Sequence, residues 1–140
     1  MSAEAMYDEV ILDYYRHPLN FGRLEKSDVS AKDVNVSCGD EIEIQLAVEN
    51  NAIRQIAFSG KGCAISQAAT SMLTEHVQNM TLDNATQLKK EEIIGLLNIP
   101  LSPMRLKCAL LGFKVFKMCI YAYLGRKMED VGYGDEGNSH

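Results

Sequence analysis

The hydrophobic positions of this chain change period twice. Met6, Val10, Ile11, Tyr14 and Tyr15 recur at spacings that suit an amphipathic helix from Met6 to Arg16. His17-Pro18 ends it, because the residue before a proline is pushed out of the α region. Asn20 to Lys26 reads as a loop. From Val29 the period drops to two: Val34 and Val36 alternate, and Glu41 to Val48 alternates polar and apolar along a half-buried strand. Asn50-Asn51 tolerates positive φ, and Ile56 and Phe58 alternate in the run that follows, so an antiparallel hairpin is expected.

After Gly60-Lys61-Gly62 the period becomes helical again. Ile65, Ala68, Ala69, Met72, Leu73, His76, Val77 and Met80 form one stripe, which predicts a helix of about 15 residues. Two short helical pieces are expected next, one over Leu82 to Leu88 and one holding Ile93, Ile94, Leu96 and Leu97. Pro100 and Pro103 break the chain before a closing helix with Leu106, Ala109, Leu110, Phe113, Phe116, Ile120 and Tyr123 on one face. It is expected to run to about Leu124 and to stop at Gly125. Strands followed by helices predict an α+β fold, a small three-stranded antiparallel sheet with helices packed on one face. Residues 1–124 form the expected domain, and 125–140, glycine-rich and polar, a flexible C-terminal tail.

Composition narrows the function. At 140 residues, with no internal repeat or linker, one domain is expected. The 46% hydrophobic share supplies a core, and the net charge of -5 lacks the basic footprint of a nucleic-acid binder. No apolar run approaches the roughly 20 residues that span a bilayer, and MSAEAMYDEV lacks the features of a signal peptide. Neither a nucleic-acid nor a membrane partner is expected, and the expected location is cytoplasmic. In that reducing compartment the four cysteines point to metal binding, catalysis or burial rather than disulfides.

Three cysteines sit where the period changes. Cys38, in Cys38-Gly39-Asp40, enters the hairpin; Cys63 lies between the second hairpin strand and the long helix; Cys108 opens the closing helix. A helix N-terminus favours thiolate, the form that binds metal and attacks a persulfide. Lys107 beside Cys108 and Lys61 beside Cys63 read as solvated charges, with tuning of the thiols as the alternative. Cys119 falls nearly in register with Cys108 but about 16 Å further along the axis, too far to share one ion, so it reads as a small buried hydrophobe. Asp40 is the best fourth ligand. With no CxxC pair, the spacings leave both a shared metal site and scattered structural cysteines open. His76 on the apolar stripe reads as packed or snorkelling, His17 as a turn residue, and His140 as the end of the tail.

Cys38-Gly39-Asp40, Gly62-Cys63-Ala64-Ile65-Ser66 and Arg105-Leu106-Lys107-Cys108, taken together, resemble the IscU/SufU family, also called the NifU N-terminal family. The resemblance runs from about Tyr7, where YDEVILDYYRHPLNFG is similar to the family's opening helix and turn, to about Leu124. It implies a scaffold of iron-sulfur cluster biogenesis in which Cys38, Asp40, Cys63 and Cys108 hold zinc or a nascent 2Fe-2S cluster. The implied partners are a cysteine desulfurase and apo iron-sulfur proteins. Leu101 to Arg105 loosely resembles the LPPVK segment that IscU scaffolds present to an Hsp70-type chaperone, with Ser for Pro and Arg for Lys.

The branch within the family is mixed. The second and third motifs resemble the SufU type, and Lys107 stands where IscU types usually carry His. SufU types usually have an insertion before the last motif, and Met80 to Pro103 is too short to contain it. Two activities follow by resemblance: a scaffold with Cys108 as the persulfide acceptor, or a zinc-dependent sulfurtransferase with Cys38 as the acceptor. A zinc-stapled interaction module without sulfur chemistry is the third reading.

Overall fold

The computed structural model describes residues 3–130. Helix α1 (Ala3–Arg16) precedes strands β1 (Val29–Asn35), β2 (Asp40–Glu49) and β3 (Ala52–Lys61). Helices α2 (Ala64–Val77), α3 (Leu82–Gln87), α4 (Lys90–Leu97) and α5 (Pro103–Asp130) follow. The strands form one antiparallel sheet in the order β1-β2-β3, as the α+β reading expects. Asn50 (φ 53) and Asn51 (φ 65) make the β2–β3 turn with both residues left-handed.

Strand periodicity decides what β2 delivers. Asp40, Ile42, Ile44 and Leu46 share one face, and all four are buried. The three apolar residues enter the main core with Phe58 of β3 and Leu111, Val115, Phe116 and Ile120 of α5. Asp40 therefore lies on the core face at the end of the strand. β1 is in the opposite phase from the expected one: Val29 is buried and Ala31 packs on the core, whereas Val34 is exposed. Val36 falls outside the strand and is 87% exposed. Local alternation marks two faces without saying which one α5 will cover.

α2 is buried on almost every side. Ile65, Ala68, Ala69 and Met72 face a second core, completed by Ile11 of α1 and Cys108 and Ala109 of α5. Its buried Thr70 and Thr74 satisfy their hydroxyls on the helix itself, donating to Ser66 O (2.8 Å) and Ser71 O (2.7 Å). Gly112 of α5 lets the two helices approach, since a Cβ there would strike the Thr70 hydroxyl. The loop after α1 is clipped to α2 and β3: Leu19 N donates to Ser71 Oγ at 2.7 Å, and Phe58 N to Asn20 O at 2.9 Å. Among the described side chains of α1, Ile11 is buried and Tyr14 half-buried, whereas Val10 and Tyr15, expected on the apolar stripe, are exposed.

α5 departs from expectation at both ends. Pro103 is its first residue rather than a break, a position where the missing N–H costs nothing. Ser102 Oγ accepts from Arg105 N at 3.3 Å to cap it. At the other end the helix runs through Gly125 to Asp130, and Arg126 Nη1 donates to Asp28 O at 2.7 Å, tying that turn to the sheet. The expected tail thus begins as helix, and residues 131–140, with His140, lie outside the described residues. Mean hydropathy within Pro103–Arg126 reaches 1.4, enough by length and composition alone to cross a membrane, yet Arg105, Lys107, Lys114 and Lys117 interrupt it, so it is not an unbroken apolar run. Its apolar face is used internally: Val115, Phe116, Cys119 and Ile120 are fully buried in the main core.

Phe116→Ala should lower the free energy of urea unfolding by about 3–5 kcal/mol, because its ring is fully buried between helix and sheet. Val10→Ala, at a position 49% exposed, should stay within about 0.5 kcal/mol of the parent.

Candidate functional site

At one end of the sheet four segments converge. The turn between β1 and β2 carries Cys38, the first residue of β2 is Asp40, the β3–α2 junction carries Cys63, and the second turn of α5 carries Cys108. The ligand atoms of Cys38, Asp40 and Cys108 all lie within 4.8 Å of one another. Cys63 reaches this group through Asp40: its backbone N–H donates to Asp40 Oδ1 at 2.8 Å, and its Sγ lies 3.7 Å from Oδ2. The structure thus gathers all four sequence-predicted site residues, three in mutual contact range and Cys63 beside them.

Each position has a local cause. Gly39 takes a left-handed φ of 70°, which turns the chain from Cys38 into β2. Gly62 takes φ 148° and passes so close to Asp40 that a Cβ would collide with Oδ1 and lie 2.9 Å from Asp40 Cα. Cys63 is the N-cap of α2, and its sulfur accepts from Ser66 N at 3.4 Å, so this thiol sits at the positive end of a helix as expected. Cys108 lies one turn inside α5 instead of at its cap, because the helix starts at Pro103.

Asp40 is 1% exposed. A carboxylate so deep needs partners, and the protein offers it one backbone N–H and a neighbouring thiol. A cation shared with the sulfurs would supply the remainder. Thiolates with a single carboxylate suit zinc or iron rather than calcium or magnesium, so the donor set fits the metals the sequence implies.

The sulfurs of Cys38 and Cys108 lie against each other, within reach of disulfide pairing, across a Cα–Cα distance of 6.8 Å. Sequence reasoning expects free thiols here. Their approach has a simple cause: a fold that brings two sulfurs within reach of one ion brings them within reach of each other. Metal takes thiolates, so the reduced pair is the binding form.

On one side of the pair lies a pocket of about 440 Å³ walled by Ile11, Leu12, Met104 and Arg105, with all three cysteines in its lining. Outside the pocket lining, Asn35 Nδ2 donates to Cys38 Sγ at 3.5 Å. Asn35 carries no sequence signal, since an asparagine closing a strand is an ordinary turn residue. Gly62 could have been suspected from its place directly before a cysteine. Cys119 is fully buried in the main core and donates to Ile44 O at 3.4 Å; burial pushes its thiol up to about 12, so it stays protonated through the neutral range. His76, expected to be packed or snorkelling, is exposed on α2, with Nε2 3.9 Å from Glu92. His17 is exposed at the end of α1, and neither imidazole joins the donor group.

Residues 6–130 match the family described as NifU-like N terminal domain. The chain is 32% identical over 135 residues to the Iron sulfur cluster assembly protein 2, mitochondrial, of Saccharomyces cerevisiae, covering 93% of this chain and 85% of that protein. It is 31% identical over 133 residues to the Iron-sulfur cluster assembly scaffold protein IscU of Thermotoga maritima, covering 84% and 94% respectively. Among solved structures, a putative iron-sulfur cluster assembly scaffold protein for the SUF system from Fervidobacterium islandicum AW-1 superposes with a TM-score of 0.69 at 28% identity. That match covers 85% of this chain and 99% of the other.

Gly62→Ala should leave the circular dichroism spectrum close to that of the parent while weakening zinc binding about 10- to 100-fold in chelator competition, as expected when a ligand's support is displaced. Unchanged affinity would show that Asp40 does not need the close approach. In the reduced native protein iodoacetamide should alkylate Cys63 and reach Cys119 only after urea unfolding, read by peptide mass spectrometry.

Proposed function

The chain belongs to the NifU-like N-terminal domain family, and on that premise we propose that it is an iron-sulfur cluster assembly scaffold. It receives sulfur from a cysteine desulfurase together with iron, builds a labile 2Fe-2S cluster as its cargo, and passes the cluster to apo-proteins. The observation that carries this reading is the convergence of Cys38, Asp40 and Cys108 within 4.8 Å, with Cys63 bonded to Asp40. Three thiols and one carboxylate make a complete but uneven donor set. A hard oxygen ligand holds iron less firmly than a fourth thiolate would, which suits a protein that must release what it builds.

Sulfur enters by exchange. A thiolate of this chain attacks the outer sulfur of the desulfurase persulfide; a new S–S bond forms, and the desulfurase cysteine leaves as thiolate. Cys38 and Cys108 are the candidate acceptors. Cys38 is half-buried on a turn, whereas Cys108 is 3% exposed. That difference favours Cys38 and supports a second reading, a zinc-dependent SufU-type sulfurtransferase in which ligand exchange at the metal frees Cys38 to accept the persulfide. The SUF-system neighbour is consistent with it.

An Hsp70-type chaperone belongs to the same proposal. Its contact would be Leu101 to Arg105, the segment leading into α5, where Met104 is 61% exposed beside the Cys108 pocket. A cytoplasmic setting is likewise part of the proposal; the yeast relative carries a mitochondrial name.

Anaerobic reconstitution of the reduced chain with ferrous iron, cysteine, a desulfurase and dithiothreitol, the dithiol and the iron supplying the electrons that take persulfide sulfur to sulfide, should produce the visible absorption of a 2Fe-2S cluster. Asp40→Ala should retain its cluster longer against a chelator. A folded, reduced chain that never acquires the absorption would overturn the scaffold reading. Persulfide found by mass spectrometry on Cys38, with zinc retained through turnover, would select the sulfurtransferase.

A further inference from the structure

Along the outer face of α5 runs an open groove of about 600 Å³ that the site does not use. Lys107, Leu110, Lys114, Lys117 and Tyr121 line it at alternating intervals of three and four residues. That spacing places them on one face of α5, which extends about 21 Å at 1.5 Å per residue, long enough to meet a partner helix of about four turns. Its apolar surface includes Val34, 48% exposed, and Tyr121, 58% exposed.

The charge around the groove is opposite to that of the protein. The chain as a whole carries -5, yet Lys90, Lys107, Lys114 and Lys117 line this one groove and no carboxylate does. Lys114 pairs with Asp33 at 2.7 Å just outside it. Lys117 is held in place, donating to Thr86 O at 2.6 Å and lying 5.6 and 5.8 Å from the Phe113 and Tyr121 ring centres. Glu92 is the further acidic group that acts on Lys117. Lys90 and Lys107 make no ion pair among the described residues, so their charges are available to a ligand.

We propose that this groove seats an acidic amphipathic helix of a partner protein, apolar residues against Val34, Leu110 and Tyr121 and carboxylates against the lysines. Helical spacing on α5, length and charge together select that occupant. The groove ends at Asn35 and Lys107, neighbours of Cys38 and Cys108, so a docked helix lies beside the thiols. Only that last consequence rests on the sulfur and cluster chemistry proposed above; the docking surface itself does not.

The test uses the full reduced, metal-free chain, so that it is read independently of cluster assembly. Three fluorescein-labelled synthetic 16-residue peptides serve as probes: a Leu/Glu amphipathic helix, the same helix with Lys for Glu, and a scrambled Leu/Glu sequence. Anisotropy should show the acidic helix binding and both controls failing. Lys90→Glu with Lys114→Glu should weaken binding by about tenfold or more, through the association rate and with lost salt dependence. Tyr121→Ser should weaken it with the salt dependence retained. Equal binding of the basic or scrambled peptide, or unchanged affinity in the folded charge variant, would overturn the proposal. So would a wild-type dimer in sedimentation that Lys90→Glu dissolves, or binding to phosphatidylglycerol vesicles in place of the peptide. A chain that binds the acidic helix but never assembles a cluster would keep this inference and lose the scaffold reading.

Discussion

A buried carboxylate organises this protein. Asp40 occupies the core face of β2, where its neighbours in phase are Ile42, Ile44 and Leu46. Such a group is tolerated only with partners, and the backbone N–H of Cys63 provides one at 2.8 Å. That bond adds to the β2–β3 ladder, in which Glu41 pairs with Lys61, and ties the start of β2 to the first turn of α2. Gly62 permits it, because any side chain there would occupy the space of Asp40.

From this anchor the remaining geometry follows by contact. α2 is fixed at its N-terminus, and Gly112 of α5 closes on Thr70 of α2. The two close approaches place the second turn of α5 over the same end of the sheet, which carries Cys108 to Cys38. One helix thereby holds two thiols with different fates. Cys108 lies in the small core formed with α1 and α2 and opens into a pocket, whereas Cys119 is sealed in the core between α5 and the sheet. Burial keeps Cys119 protonated and chemically quiet.

The chemistry benefits from this division. The thiols and Asp40 are supported by strand ends and helix starts, which are rigid, while Cys38 rides on a turn that leaves it half-buried. Rigid donors define a metal geometry, and one accessible thiol allows sulfur to arrive. The same closeness of Cys38 and Cys108 that suits an ion also allows their oxidation to a disulfide, so occupancy of the site and its redox state are linked.

Much of the architecture was legible in the residues themselves. Period two over Glu41 to Val48 and the Asn50-Asn51 turn specify the hairpin, because pleating and left-handed φ are local properties. The rise of a helix is local too, which is why Cys119 separates from Cys108 without any structure. Other features depended on what packs against what. Val34 alternates correctly yet lies on the exposed side, Val10 and Tyr15 of α1 are exposed, and α5 continues through Gly125 where Arg126 finds Asp28 O. Asn35 and the approach of Cys38 to Cys108 have no signature along the chain, and Gly62 is marked there only by its place before Cys63. Periodicity encodes which residues share a face; only the tertiary structure decides which neighbour that face meets, since contact between residues 70 positions apart is a property of packing and not of spacing.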